Sequence, residues 1–188
     1  MFSNINRFLL LDKFAFSQET ITKAKGCYLY TESGKEILDM TSGFGTQNLG
    51  YNNSEIIQER IDFAKNDNLP FSRLFFNENI AKLSEKLSSM LPENLNYSFF
   101  CNSGAEANEG ALKLAYKYHE GKRKYLIHNK NSFHGKLIAT SQITDSPEVY
   151  FEFQNSLDSL CIDLTDIDLL EKTIIDNSKN IYAVILEP

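Results

Sequence analysis

The chain has 188 residues, 42% hydrophobic, 23% charged and 12% aromatic, which is ordinary globular usage and argues against collagen-like, mucin-like or disordered classes. Lys and Arg number 19 against 25 Asp and Glu, a net charge of −6, so no broad electrostatic attraction draws it to nucleic acid or anionic lipid. No window approaches the ~18 uninterrupted apolar residues of a spanning helix, and the opening Met1-Phe2-Ser3-Asn4-Ile5-Asn6-Arg7-Phe8-Leu9-Leu10-Leu11 has a brief apolar run without a cleavage site, so neither membrane nor export is expected and the compartment is the cytosol.

In chain order, Cys27-Tyr28-Leu29-Tyr30 and Lys35-Glu36-Ile37-Leu38-Asp39 flank Glu32-Ser33-Gly34, which predicts a hairpin of two short strands. Thr41-Ser42-Gly43-Phe44-Gly45 breaks regularity, two glycines around an aromatic suiting a backbone that must bend or approach something closely. Asn53-Ser54 offers an N-cap for a helix running towards Lys65. Ile80, Leu83, Leu87, Met90 and Leu91 recur at helical spacing from Asn77 onward, and Pro92 stops the pattern.

Beyond Pro92 the pattern alternates. An apolar run over 97–101 precedes a helical stretch over 105–118 closed by Gly121, and a second run covers 125–128. Further on come a third run over 160–162, a helix from Thr165 to about Asp176, and a strand-like 181–186. Strand alternating with helix predicts an α/β fold, a sheet covered by helices. The polar stretch 142–147 reads as a connecting loop, and there is no internal repeat or Gly/Ser/Pro-rich linker. Glu187-Pro188 follows directly on a buried-looking strand, at the sheet edge where ligands gather, so the domain is expected to be incomplete.

Three places carry chemistry. Cys101-Asn102-Ser103-Gly104-Ala105-Glu106 passes from an apolar run through small residues into a helix. A helix start is an anion site, because its first N–H groups lack internal partners and carry the positive end of the dipole. Gly104 and Ala105 leave the backbone open to a phosphate and Ser103 adds a hydroxyl; the plainer alternative is that Ser103 only caps the helix. Phe133-His134-Gly135-Lys136 follows the next strand and sets an aromatic and a titratable ring at the same sheet edge, where a flat heteroaromatic ligand could stack; otherwise Phe133 is core and His134 a solvated loop residue. Glu187 ends the last strand as a lone carboxylate or a boundary marker. No Walker lysine or dinucleotide glycine fingerprint is present. Cys27, Cys101 and Cys161 are odd in number and far apart, which suits reduced thiols. His119, His128 and His134 never pair at ligand spacing, so no metal is expected.

Together these segments resemble a known family. Asn102-Ser103-Gly104-Ala105-Glu106-Ala107-Asn108-Glu109, Ser132-Phe133-His134-Gly135 and Ile185-Leu186-Glu187-Pro188 resemble the class III aminotransferases, the pyridoxal-phosphate group containing ornithine, acetylornithine and 4-aminobutyrate aminotransferases. Gly26-Cys27-Tyr28-Leu29-Tyr30, Gly34-Lys35-Glu36-Ile37-Leu38-Asp39 and Leu49-Gly50-Tyr51 match the opening of that family. The resemblance implies a fold-type-I architecture, a mainly parallel sheet with helices on both faces. Residues 1–54 would belong to a small domain and 55–188 would begin the cofactor-binding large domain. It implies pyridoxal 5'-phosphate as cofactor, with Ser103, Gly104 and Ala105 at its phosphate, Phe133 stacked on its ring, His134 beside it and Glu187 nearby. By the same analogy the complete protein is a homodimer acting on an amine or amino acid and a 2-oxo acid.

The substrate side departs from the pattern. Lys136 stands where the ornithine-type enzymes place an Arg that grips a substrate carboxylate, and a point charge cannot make the planar two-pronged contact, which argues against ornithine or acetylornithine. Phe44 and Phe76 stand where ornithine aminotransferase carries pocket tyrosines, suggesting a more apolar substrate unless they simply pack. The family's Schiff-base lysine and the Asp that pairs with the pyridine nitrogen lie beyond the Glu-Pro motif, so the chain contains no catalytic residue at those positions and is expected not to transaminate by itself. Ser178-Lys179 lies in a polar run before a strand and reads as a solvated loop. Two alternatives stay open: an aminomutase or decarboxylase on the same scaffold, and a non-catalytic truncated remnant.

Overall fold

The computed structural model describes residues 19–70, 72, 74–92, 94–146 and 157–188; the apolar run near the start and Pro147 lie outside them. The chain divides into two compact units, one up to Ile80 and one from Ala81.

In the first unit, β1 (Ile21–Lys25), β2 (Tyr28–Thr31) and β3 (Glu36–Leu38) form an antiparallel sheet in the order β1-β2-β3. The β2–β3 hairpin is the expected one, turning at Gly34 with φ 85°, where Gly34 N donates to Thr31 O at 3.1 Å. β1 carries no sequence signal, because four of its five residues are exposed and nothing selects an apolar alternation. At the end of β3, the Asp39 carboxylate accepts from Thr41 Oγ1 at 2.6 Å, Tyr51 OH at 2.7 Å and Thr41 N at 2.8 Å. These donors, Thr41's hydroxyl foremost and then Tyr51's, hold its pKa down to about 2.

Asp39 thereby anchors the turn Ser42–Gly45, whose four residues all have left-handed φ, between 45° and 77°. The irregularity expected at Gly43-Phe44-Gly45 is this turn. Asn53 caps α1 (Ser54–Lys65), its Oδ1 accepting from Glu55 N at 3.0 Å and Ile56 N at 3.3 Å. Asn77 does the same for α2 (Glu78–Met90), accepting from Asn79 N at 2.9 Å, and the helix stops short of Pro92 as its spacing predicts.

The second unit contains α3 (Gly104–Tyr118), β4 (Tyr125–Asn129), α4 (Ile138–Gln142), β5 (Ser159–Ile162), α5 (Ile167–Asn177) and β6 (Ile181–Ile185). Its sheet is parallel with the order β5-β4-β6. β4 is central, and Leu126 and Ile127 are fully buried. Leu112 on α3, Leu126, Ile143 and Tyr182 form the core, flanked by Ala115, Ala139, Ala183 and Ile185. The rings of Tyr116 and Tyr182 meet edge-on with centroids 5.4 Å apart.

Two expectations need correction. The apolar run 97–101 forms no strand, and Tyr97 and Phe99 are 99% and 70% exposed. A strand exists only through a partner, and among the described residues no strand pairs with this run. The short α4 had no periodic signal, since five residues are too few to display one. The loop expected over 142–147 begins where α4 ends.

Candidate functional site

β4 and β6 are parallel neighbours, so the segments leaving their carboxyl ends emerge on one edge of the sheet. The segment after β4 returns to the start of α3. Gly135 seats there at φ 132°; a Cβ on it would stand 2.6 Å from Ala105 Cβ and 2.8 Å from Thr140 Oγ1, so only glycine permits this approach. One turn along α3, Asn108 Nδ2 donates to His134 O at 2.8 Å. The Glu109 carboxylate accepts from Ala139 N at 2.8 Å and Thr140 N at 3.2 Å, which caps α4. The hydroxyl of buried Thr144 accepts from His134 N at 3.0 Å and Gly135 N at 3.2 Å. The Phe133-His134-Gly135 loop is thus fastened to the helix start.

Ser103 is the N-cap of α3, its Oγ accepting from Glu106 N at 3.2 Å while the Glu106 carboxylate accepts from Asn102 N at 2.7 Å. The plainer role, capping, is therefore present. It leaves the Ser103 hydroxyl proton available to donate. The N–H groups of Gly104 and Ala105 come too early in the helix for an intrahelical carbonyl, and a Cβ on Gly104 would meet nothing within 4 Å. This helix start faces open space, with the dipole's positive end directed into it.

Phe133 is 51% exposed on the adjoining loop, whereas His134 is buried. Burial pushes His134 below the ordinary imidazole range, the Glu187 charge opposing, and its Nε2 has no hydrogen-bond partner among the described residues. His128 on β4 is also buried, and its pKa is lowered by burial and then by His134, against Asp145. The Glu187 carboxylate, beyond β6, accepts from Phe133 N at 2.7 Å. Asn129 in turn grips the Glu187 backbone from the end of β4.

The structure therefore brings Ser103, Gly104, Ala105, Phe133, His134, Glu187 and Lys136 into one unit, Lys136 being exposed directly after Gly135. Phe44 and Phe76 belong to the other unit, where both are exposed, Phe44 on the left-handed turn at φ 55°. Sequence reasoning assigned no role to Asn108, Glu109, Asn129 and Thr144. The first two stood inside a quoted motif, but only the returning loop gives them partners. An anion with a flat ring fits the residues present: an exposed helix start at Ser103 and Gly104, with Ala105 partly buried behind it, and a half-exposed Phe133 on the loop that abuts them.

The Aminotransferase class-III family model matches residues 15–188. The acetylornithine aminotransferase of Bacillus cereus is 40% identical over 171 residues, covering 88% of this chain and 41% of the relative. A transaminase from the marine bacterium Virgibacillus superposes with a TM-score of 0.86 at 25% identity, over 100% of this chain and 47% of that one. The ornithine aminotransferase of Toxoplasma gondii, a structure with partial occupancy of PLP at its active site, gives a TM-score of 0.83 at 23% identity over 100% of this chain and 44% of that one. The chain spans less than half the length of these relatives and carries that part of the fold-type-I α/β architecture. It belongs to the class-III aminotransferases.

Proposed function

We propose that the protein to which this chain contributes is a pyridoxal 5'-phosphate-dependent aminotransferase, moving an amino group between an amine or amino acid and a 2-oxo acid. The observation that carries the reading is the close approach of Gly135 to Ala105, which sets an open helix start beside a half-exposed aromatic ring. In this reading the amides of Gly104 and Ala105 and the Ser103 hydroxyl bind the cofactor phosphate. The Phe133 ring lies against the pyridine, while Glu187 fixes the Phe133 backbone and buried His134 supports the loop, uncharged at neutral pH. Pyridoxal 5'-phosphate supplies an electron sink that lets an amino group change carbon skeletons. Phe44, Phe76 and Lys136 serve substrate recognition.

The relatives' names favour amino transfer over aminomutase or decarboxylase chemistry and over a non-catalytic remnant. They favour acetylornithine as amino donor, whereas Lys136 favours a substrate that does not need a planar cation. A homodimer, a cytosolic setting and the division into 1–54 and 55–188 complete the proposal. The test is a panel of amino donors, N-acetylornithine and apolar amines included, offered with a 2-oxo acid and the cofactor to the complete polypeptide. Nitrogen transferred to the 2-oxo acid supports the reading; no transfer, or nitrogen retained on the donor skeleton, overturns it.

A further inference from the structure

We propose that Asn129 is a positioning residue of this site, acting through Glu187 on Phe133. The inference rests on the reading above, in which Phe133 carries the ligand's flat ring. The parallel ladder between β4 and β6 ends at the pair His128 and Ile185. One residue further along β4, the buried Asn129 side chain continues it in place of backbone: Oδ1 accepts from Glu187 N at 3.0 Å and Nδ2 donates to Glu187 O at 2.9 Å. Both backbone groups of Glu187 are thereby held, and its carboxylate accepts from Phe133 N at 2.7 Å. The Asn129 backbone works from the other side, its carbonyl accepting from buried Ser132 Oγ at 2.6 Å. Phe133 is thus fixed before its Cα through Ser132 and at its own nitrogen through Glu187, and both lines end at Asn129.

The side chain must both donate and accept at this position, which an amide does and a carboxylate or hydrocarbon does not. Nothing in the arrangement puts Asn129 on the ligand. Its effect is on where the Phe133 ring stands, and displacement of a positioning group weakens binding without removing a contact.

The test is hydrogen exchange by mass spectrometry on the complete polypeptide, comparing the loop around Phe133 with the centre of β4, alongside a cofactor titration. Asn129→Ala removes both hydrogen bonds that hold the Glu187 backbone and is expected to speed exchange in the loop about tenfold, with the centre of β4 unchanged. Cofactor affinity should fall several-fold in the same variant. If Asn129→Ala does not fold, Glu187→Ala at an exposed position breaks the same link and should give the same loop-only change. Unchanged loop exchange, or equal acceleration of loop and β4, overturns the proposal. Should exchange respond as expected while the unaltered protein binds no cofactor, the positioning stands and the aminotransferase reading fails.

Discussion

Gly135→Ala puts the loop-to-helix contact under direct strain. The new methyl would stand 2.6 Å from Ala105 Cβ, 2.8 Å from Thr140 Oγ1 and 3.0 Å from Ala105 Cα. Ala105 has no rotamer to yield with, and Thr140 Oγ1 is engaged by Leu137 N at 3.0 Å, so the backbone itself has to move. Overpacking of this kind costs about 1–3 kcal/mol. A backbone at φ 132° costs a non-glycine residue roughly another 1–3 kcal/mol. The sum, about 2–6 kcal/mol, is a large share of the roughly 5–15 kcal/mol that holds a domain together. Urea unfolding should show the midpoint falling accordingly. The matched control is Gly104→Ala, where a Cβ meets nothing within 4 Å and φ is ordinary. There the folded state should gain about 0.4–1 kcal/mol through a less flexible unfolded chain, while affinity for the cofactor phosphate falls. A loss of unfolding free energy below about 1 kcal/mol for Gly135→Ala would refute the close approach on which the site is built.

Ser103→Ala removes the cap accepting from Glu106 N and should cost about 1 kcal/mol in thermal unfolding, together with cofactor affinity; equal loss in Ser103→Thr, which keeps the hydroxyl, would count against that role. His128 and His134 are buried with pKa values pushed below their unfolded value near 6.5, so the unfolded chain binds more protons in mild acid. Stability should be fully present above that pH and decline as pH falls towards the folded pKa values, by at most about 1.4 kcal/mol per pH unit for each group, and a His128→Leu/His134→Gln variant should flatten the decline. Asp39, held down to about 2, has the same sign in a more acidic window: its contribution is complete above pH ~4 and is lost as pH falls through the folded pKa. The Thr41 amide shift, followed by NMR, should titrate near that value in the native chain and cease to do so in Asp39→Asn.

Local chemistry settles much of this chain before any tertiary contact forms. Asn53, Asn77 and Ser103 announce helix starts because each cap is satisfied two or three residues away, and Gly34 announces its hairpin through a turn only glycine adopts comfortably. The order of the small-residue turn, the Phe-His-Gly loop and the Glu-Pro end was legible for the same reason; the sheet edge expected for all three holds for the last two, which follow parallel strands, whereas no strand precedes the turn. What sequence could not decide depends on partners far along the chain. The run 97–101 has strand composition and no strand, because strand hydrogen bonds require a neighbour and no described strand pairs with it. Phe133 and His134 look alike as loop residues, yet one is half-exposed and the other buried. Which of the two is left exposed follows from contacts spanning 26 residues to Asn108 and 54 to Glu187, and no short-range pattern encodes such distances. Asn129 is the clearest case: a polar residue at the end of a strand becomes a clamp only when a second strand brings Glu187 alongside it.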